Sequence, residues 1–167
     1  MSDVAKWLND NIRYDGEKGE FYWKRRGNGR RSGGISGFVV QSTGYKIIRV
    51  RINRKRTCFL AHRLAWFLVS GEWPPEEIDH INRDRADNRI VNLRLATRSQ
   101  NHCNSKVRKD NRLGVKHVIM IRNGVYRVYV KWSGKNHYGG LHQTIADAVL
   151  ARDRLVAELH GEFGRVA

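Results

Sequence analysis

Apolar positions along the chain recur at two spacings, one helical and one alternating, and these divide it into elements. Val4, Trp7, Leu8 and Ile12 have the spacing of a short amphipathic helix, and Phe21-Tyr22-Trp23 reads as a strand. From Tyr45 to Ile52, Ile48, Val50 and Ile52 alternate with Arg49 and Arg51, the period of a half-buried strand. Asn53-Arg54-Lys55 predicts a turn, and Thr57-Cys58-Phe59-Leu60 the returning strand. Ala61 to Ser70 predicts a helix, with Leu64, Phe67 and Leu68 on one face. Gly71 stops it and Pro74-Pro75 bars continuation. Glu77 to Ile81 predicts a strand, Asn82 to Asn92 a polar loop, and Leu93 to Thr97 a second strand. Thr97 or Ser99 then caps a helix over Gln100-Asn101-His102.

Beyond a basic, polar linker from Lys106 to Asn111 the pattern changes. Val115 to Ile121, Val125 to Trp132 and His137 to Leu141 predict three strands, with Asn123-Gly124 and Ser133-Gly134 as tight turns. Thr144 with Asp147 has the form of a helix-start capping arrangement. Ile145, Ala148, Val149, Ala151, Leu155, Val156 and Leu159 line a stripe on the helix that follows, and Gly161 can end it. The expected class is α+β. Its expected parts are a small basic β-rich module at 1–60, a strand–loop–strand–helix segment at 61–105, and a three-stranded antiparallel sheet packed on one helix at 111–167.

Charge narrows the function. Lys and Arg number 32 against 16 Asp and Glu, a formal +16 spread along the whole chain. Such a field draws polyanions, and with five Trp and six Tyr it points to nucleic acid. A ribosomal or merely soluble basic protein is the plainer alternative. No basic amphipathic helix stands out for a membrane surface, no stretch is long enough to span a bilayer, and the first residues lack a signal-peptide pattern. A secreted or membrane protein is therefore not expected. Cys58 and Cys103 form no CxxC pair, which argues against a Cys-rich zinc site and for two reduced thiols. The Gly- and Arg-rich stretch from Arg25 to Gly37 lacks the strand-before, helix-after setting of a nucleotide loop. It reads equally as a phosphate-contacting loop or a solvated one.

The chemistry gathers in the middle segment. Asp79 and His80 end one strand, Asn92 closes the loop, and Asn101 lies on the helix beyond. Phosphodiester hydrolysis needs an activated water, a cation against charge at the phosphate, and groups that fix geometry. A neutral imidazole suits the first task. A carboxylate and a carboxamide oxygen are hard ligands that suit magnesium. A loop asparagine can brace the backbone behind the histidine. Singly, each residue also has an ordinary structural reading; the joint spacing carries the argument.

Ala61-His62-Arg63-Leu64-Ala65-Trp66, Gly71-Glu72-Trp73-Pro74, Ile78-Asp79-His80-Ile81-Asn82, Asp87-Asn88-Arg89, Asn92-Leu93-Arg94 and Ser99-Gln100-Asn101 together resemble the HNH homing-endonuclease family. The resemblance covers about residues 45–104 and implies the ββα-metal fold. It implies that His80 is the general base on the attacking water. It gives Asp79 and Asn101 one Mg2+ or Mn2+ and Asn92 the loop brace. The products it implies carry 5′-phosphate and 3′-hydroxyl ends. The last position, His in many members, is Asn here, as in the phage-type subgroup, and a phage-infected bacterial cytoplasm is the implied setting. His62 is open to a role near the site or to packing, and His102 points elsewhere on its helix.

The last segment resembles the plant ethylene-response-factor (Apetala) type of DNA-binding domain, through Gly114-Val115-Lys116, Tyr126 to Lys131, Tyr138-Gly139-Gly140-Leu141 and Thr144 to Asp153. Tyr126 stands where Trp is usual, and Gly140 departs from the family pattern. In the middle strand, Tyr126, Val128, Val130 and Trp132 share one face, and Arg127, Tyr129 and Lys131 the other, a basic-aromatic surface for a DNA groove. The candidate DNA contacts are Arg49, Arg51, Arg83, Arg94, Lys116, Arg122, Arg127, Tyr129 and Lys131. The expected partner is double-stranded DNA, with the chain a monomer or a homodimer. A non-catalytic, sequence-specific DNA-binding protein on the same fold is the alternative, and an RNA-directed protein a third reading.

Overall fold

The structure is a computed structural model, and it describes residues 3–27, 31–105, 107, 110–132 and 134–164. The chain divides into two compact units, Met1–Leu95 and Ala96–Ala167. Among the described residues no helix is long and apolar enough to cross a membrane.

The first unit opens with α1 (Asp3–Asn11), which buries Ala5 and Leu8. The helix ends one residue before Ile12, which is buried as the first residue of β1 (Ile12–Asp15). β1 pairs antiparallel with β2 (Glu20–Trp23), and β2 with the two-residue β3 (Ile35–Ser36). A second sheet takes β4 (Phe38–Val39), β5 (Lys46–Ile52) and β6 (Lys55–Leu60). In β5 the alternation holds: Ile48, Val50 and Ile52 are buried while Arg49 and Arg51 are exposed. The β5–β6 turn places both Asn53 (φ 47) and Arg54 (φ 66) in the left-handed region, as a two-residue hairpin turn requires.

α2 (Ala61–Ser70) buries Ala61, His62, Leu64, Ala65 and Phe67, and Gly71 closes it at φ 80, its N–H donating to the Phe67 carbonyl. β7 (Glu77–His80) pairs with β8 (Leu93–Ala96) across the loop, which ends in a 3-10 turn at Ile90–Asn92. One core joins Leu8, Ile12, Phe21, Ile48, Leu64, Ile78 and Leu93. Residues before and after position 60, expected in separate segments, thus share an interior.

The second unit begins with α3 (Arg98–Cys103). Thr97 Oγ1 accepts from the Gln100 N–H (3.3 Å) and Gln100 Oε1 accepts from the Thr97 N–H (2.8 Å), a reciprocal cap. The unit's sheet has β9 (Val118–Arg122), β10 (Val125–Trp132) and β11 (Lys135–His142), all antiparallel, with β10 central. β9 starts later than the sequence suggests. The Asn111 side chain accepts from Leu113 N–H and donates to the Val115 carbonyl, and His117 has φ 62, so this stretch turns before it extends. Ser133 lies outside the described residues.

Gly139 is the extra residue where the β10–β11 register shifts between Val128 and Tyr129. A Cβ there would meet Val128 Cγ1 at 2.6 Å, and Gly140 adopts φ 96. The close approach at Gly139 and the positive φ at Gly140 thus both call for glycine at the bulge. α4 (Ile145–His160) packs on this sheet, capped by Thr144, whose side chain accepts from the Asp147 N–H. Its buried stripe is Ala148, Arg152, Val156 and His160, whereas Ile145 is exposed. Of the apolar stripe expected from the sequence, Ala148 and Val156 are buried and Ala151 and Leu155 pack against the core of the sheet, and Arg152 and His160 join them in the interior. Arg152 is buried with its head group on Asp153 and the Lys116 carbonyl, and the His160 ring lies 4.7 Å from that of Trp132.

Candidate active site

β7 carries Asp79 and His80 as consecutive buried residues at its end. Asp79 is 4% exposed, and its Oδ2 accepts from Nε (2.9 Å) of Arg94 on the paired strand β8, with Nη2 in ion-pair contact at 2.8 Å. Arg94, expected on DNA, is 12% exposed and engaged with this carboxylate.

His80 is also 4% exposed. Burial pushes its pKa below the ordinary value; the Asn88 side chain and the carboxylates of Asp79, Asp87 and Asp84 pull the other way. The ring sits in an aromatic corner. His62 meets it edge-on at 5.0 Å, and Tyr45 lies 6.0 Å from His80 and 5.2 Å from His62. His62 is buried, with its pKa pushed down to about 3, chiefly by burial, then by His80 and Arg63. Its Nδ1 has no hydrogen-bond partner among the described residues. Two neutral imidazoles therefore face each other near pH 7.

The loop is held from within. Asn92 Oδ1 accepts from the Asn82 N–H (3.0 Å), and Nδ2 donates to Asn82 Oδ1 (3.0 Å) and the Asp87 carbonyl (2.8 Å). These are the bonds of a brace across the loop's two ends. Asp87 accepts from Asn82 Nδ2 and the Arg89 fork, and the Arg89 bonds hold its carboxyl at about 2. The loop is also held from outside. Tyr14 OH donates to the Asn88 carbonyl (2.6 Å), and the Ile90 N–H donates to the Gly16 carbonyl (3.0 Å). At Gly19 (φ 67) the β1–β2 turn presses on the backbone of Asn88 and Arg89, where a Cβ would lie 2.5 Å from the Arg89 nitrogen.

Asn101 lies on α3 in the second unit, where its N–H donates to the Thr97 carbonyl (2.9 Å). The side chains of His102 and Cys103 lie outside the described residues. Among the described residues no group of three His, Cys, Asp or Glu is arranged to hold a metal. Asp79 carries a hard carboxylate donor of the kind magnesium takes together with water and phosphate oxygens.

Of the other expected DNA contacts, Arg49 and Arg51 stand exposed on the outer face of β5, and Arg83 is half-buried in the loop. In the second unit Arg122, Arg127, Tyr129 and Lys131 are exposed, and Lys116 is half-buried. Ile119, Arg127, Tyr129, Asn136 and Tyr138 line a shallow hollow of about 300 Å3 on the outer sheet face.

Strand, braced loop and paired strand bring Asp79, His80 and Asn92 into one framework. Residues 59–103 match the HNH endonuclease family model. No curated protein and no solved structure matches the chain. Three residues around His80 carry more of the site than the sequence assigns them. In the sequence Asn88 is one residue of the Asp87-Asn88-Arg89 stretch, His62 is open to a role near the site or to packing, and Tyr45 only begins a strand, outside the matched residues.

Proposed function

We propose that the protein is a metal-dependent DNA endonuclease whose general base is His80. The observation that carries this is a buried, neutral-leaning imidazole at the end of β7, braced by the Asn82–Asn92 loop, inside the segment matching HNH endonucleases. His80 takes a proton from the water that attacks phosphorus. The bond from phosphorus to the 3′ oxygen breaks, leaving a 3′-hydroxyl and a 5′-phosphate. Asn92 acts through the loop, keeping β7 in register with β8. A divalent cation bound here would offset charge on the phosphate and leaving oxygen. Asp79 would be a hard ligand to it, and the resemblance alone would add Asn101. The basic-aromatic face of β9–β11 supplies affinity, with Arg127, Tyr129 and Lys131 central to it.

Supercoiled plasmid incubated with the protein and magnesium should become nicked or linear, and EDTA should stop this. DNA ligase alone should reseal the nicks, because they carry 5′-phosphate and 3′-hydroxyl ends. Plasmid left intact across sequences and divalent metals would refute the reading.

One observation favours a second reading. Asp79 is buried and already paired with Arg94. In a DNA-binding protein that reuses the fold without cutting, that ion pair would be purely structural. Duplex gel shifts unaffected by EDTA, with no cleavage under any metal, would favour it.

A further inference from the structure

We infer that Arg85 is a phosphate-binding residue of the nuclease site, taking a DNA phosphate next to the one that is cut. This rests on the endonuclease reading for its substrate.

The arginines around His80 differ in what already holds them. Arg63 donates to the carbonyls of Glu76 (2.8 Å) and Pro74 (2.9 Å). Arg89 forks onto Asp87, and Arg94 onto Asp79. Arg83 is half-buried, with Nε shut off from solvent. Arg85 is exposed, and among the described residues no carboxylate forms an ion pair with it. It is held by neutral groups. Nη1 donates to the Thr43 carbonyl at 2.9 Å, and the guanidinium lies 4.7 Å over the Tyr45 ring.

Those two contacts fix the head group without neutralising it. A guanidinium lying on a ring face keeps its other edge donors open, in the fork that matches phosphate oxygens. Ordering the side chain beforehand also removes part of the entropy cost of binding. Its place is set by Tyr45, whose ring neighbours both His80 (6.0 Å) and His62 (5.2 Å). The charge therefore stands one aromatic ring away from the base. That is too far to share the attacking water and suits a neighbouring phosphate on the same strand. A phosphate contact carries no sequence information, so the effect should be uniform across duplexes.

The test compares full-length wild type, Arg85→Gln and Arg85→Lys. DNA affinity is measured in EDTA as a function of salt on several unrelated duplexes, beside each protein's melting temperature. Arg85→Gln should bind three- to tenfold more weakly at moderate salt, with the slope of log affinity against log salt reduced by about 0.9, one phosphate's worth. The loss should be equal on every duplex, and Arg85→Lys should recover most of the slope. An unchanged slope in Arg85→Gln would overturn the inference. So would a loss that varies with sequence, a slope Lys does not restore, or a slope change on RNA but not on DNA. Binding in EDTA is read without cleavage, so a protein that never cuts plasmid defeats the endonuclease reading while these slopes still decide the role of Arg85.

Discussion

A proton added to His62 costs the folded chain more than the unfolded one, because the folded ring has its pKa near 3 against an ordinary value of 6.5. Between those values the unfolded chain binds more protons, so stability falls as pH drops from about 6.5 toward 3 and is complete above 6.5. His80 and His160 are shifted down as well and act in the same direction. Urea midpoints at pH 7.5, 5.5 and 4.5 should decrease in that order, and His62→Leu should flatten the trend; a flat wild-type profile would contradict it. Asn92→Ala would strip three hydrogen bonds from the loop ends and leave buried groups unpaired, a loss of about 2–4 kcal/mol in denaturant titration. At this scale the placing of Asp79 and His80 at a strand end and of Asn92 at the close of the loop was legible, because residue type and spacing mark both. The pairing of Arg94 with Asp79 was not, since it depends on the register of β7 against β8. Nor was the burial of His62 against His80, which needs α2 and β7 in one core.

Among the elements, the β1–β2 hairpin matters most to the site. Its turn lies against the loop backbone at Gly19 and accepts from Ile90 at Gly16, and its strand β1 reaches Asn88 through Tyr14. Gly19→Ala combines a positive φ with a backbone clash, so it should cost more than about 1 kcal/mol and shift the loop that carries Asn88. The expected result is a lower melting temperature together with a lower cleavage rate; native values of both would contradict the coupling. β5 and β10 were readable because seven or eight residues give a period room to show. β3 and β4, at two residues each, are too short for any period. The apolar stripe of α4 was readable, but the burial of Arg152 and His160 beside it was not, because it rests on partners on other elements, which periodicity does not register.

For the whole molecule, the charge of +16 makes affinity for DNA steeply salt-dependent. Arg127→Ala with Lys131→Ala should lower the salt slope by about 2 and leave the cleavage rate at saturating DNA near wild type. A rate that falls with unchanged affinity would remove that face from DNA binding. The class α+β and the C-terminal sheet on its helix were legible in the alternating and helical patterns. The division between Leu95 and Ala96 falls inside β8, where no change of composition marks it.

The central claim is that one imidazole performs the proton transfer. It is tested most directly by measuring single-turnover plasmid cleavage for wild type and His80→Ala with magnesium, alongside their DNA affinities in EDTA. Cleavage by His80→Ala should fall by at least about a hundredfold, as for removal of a general base, with affinity within a factor of about two. Cleavage by His80→Ala at the wild-type rate would contradict it.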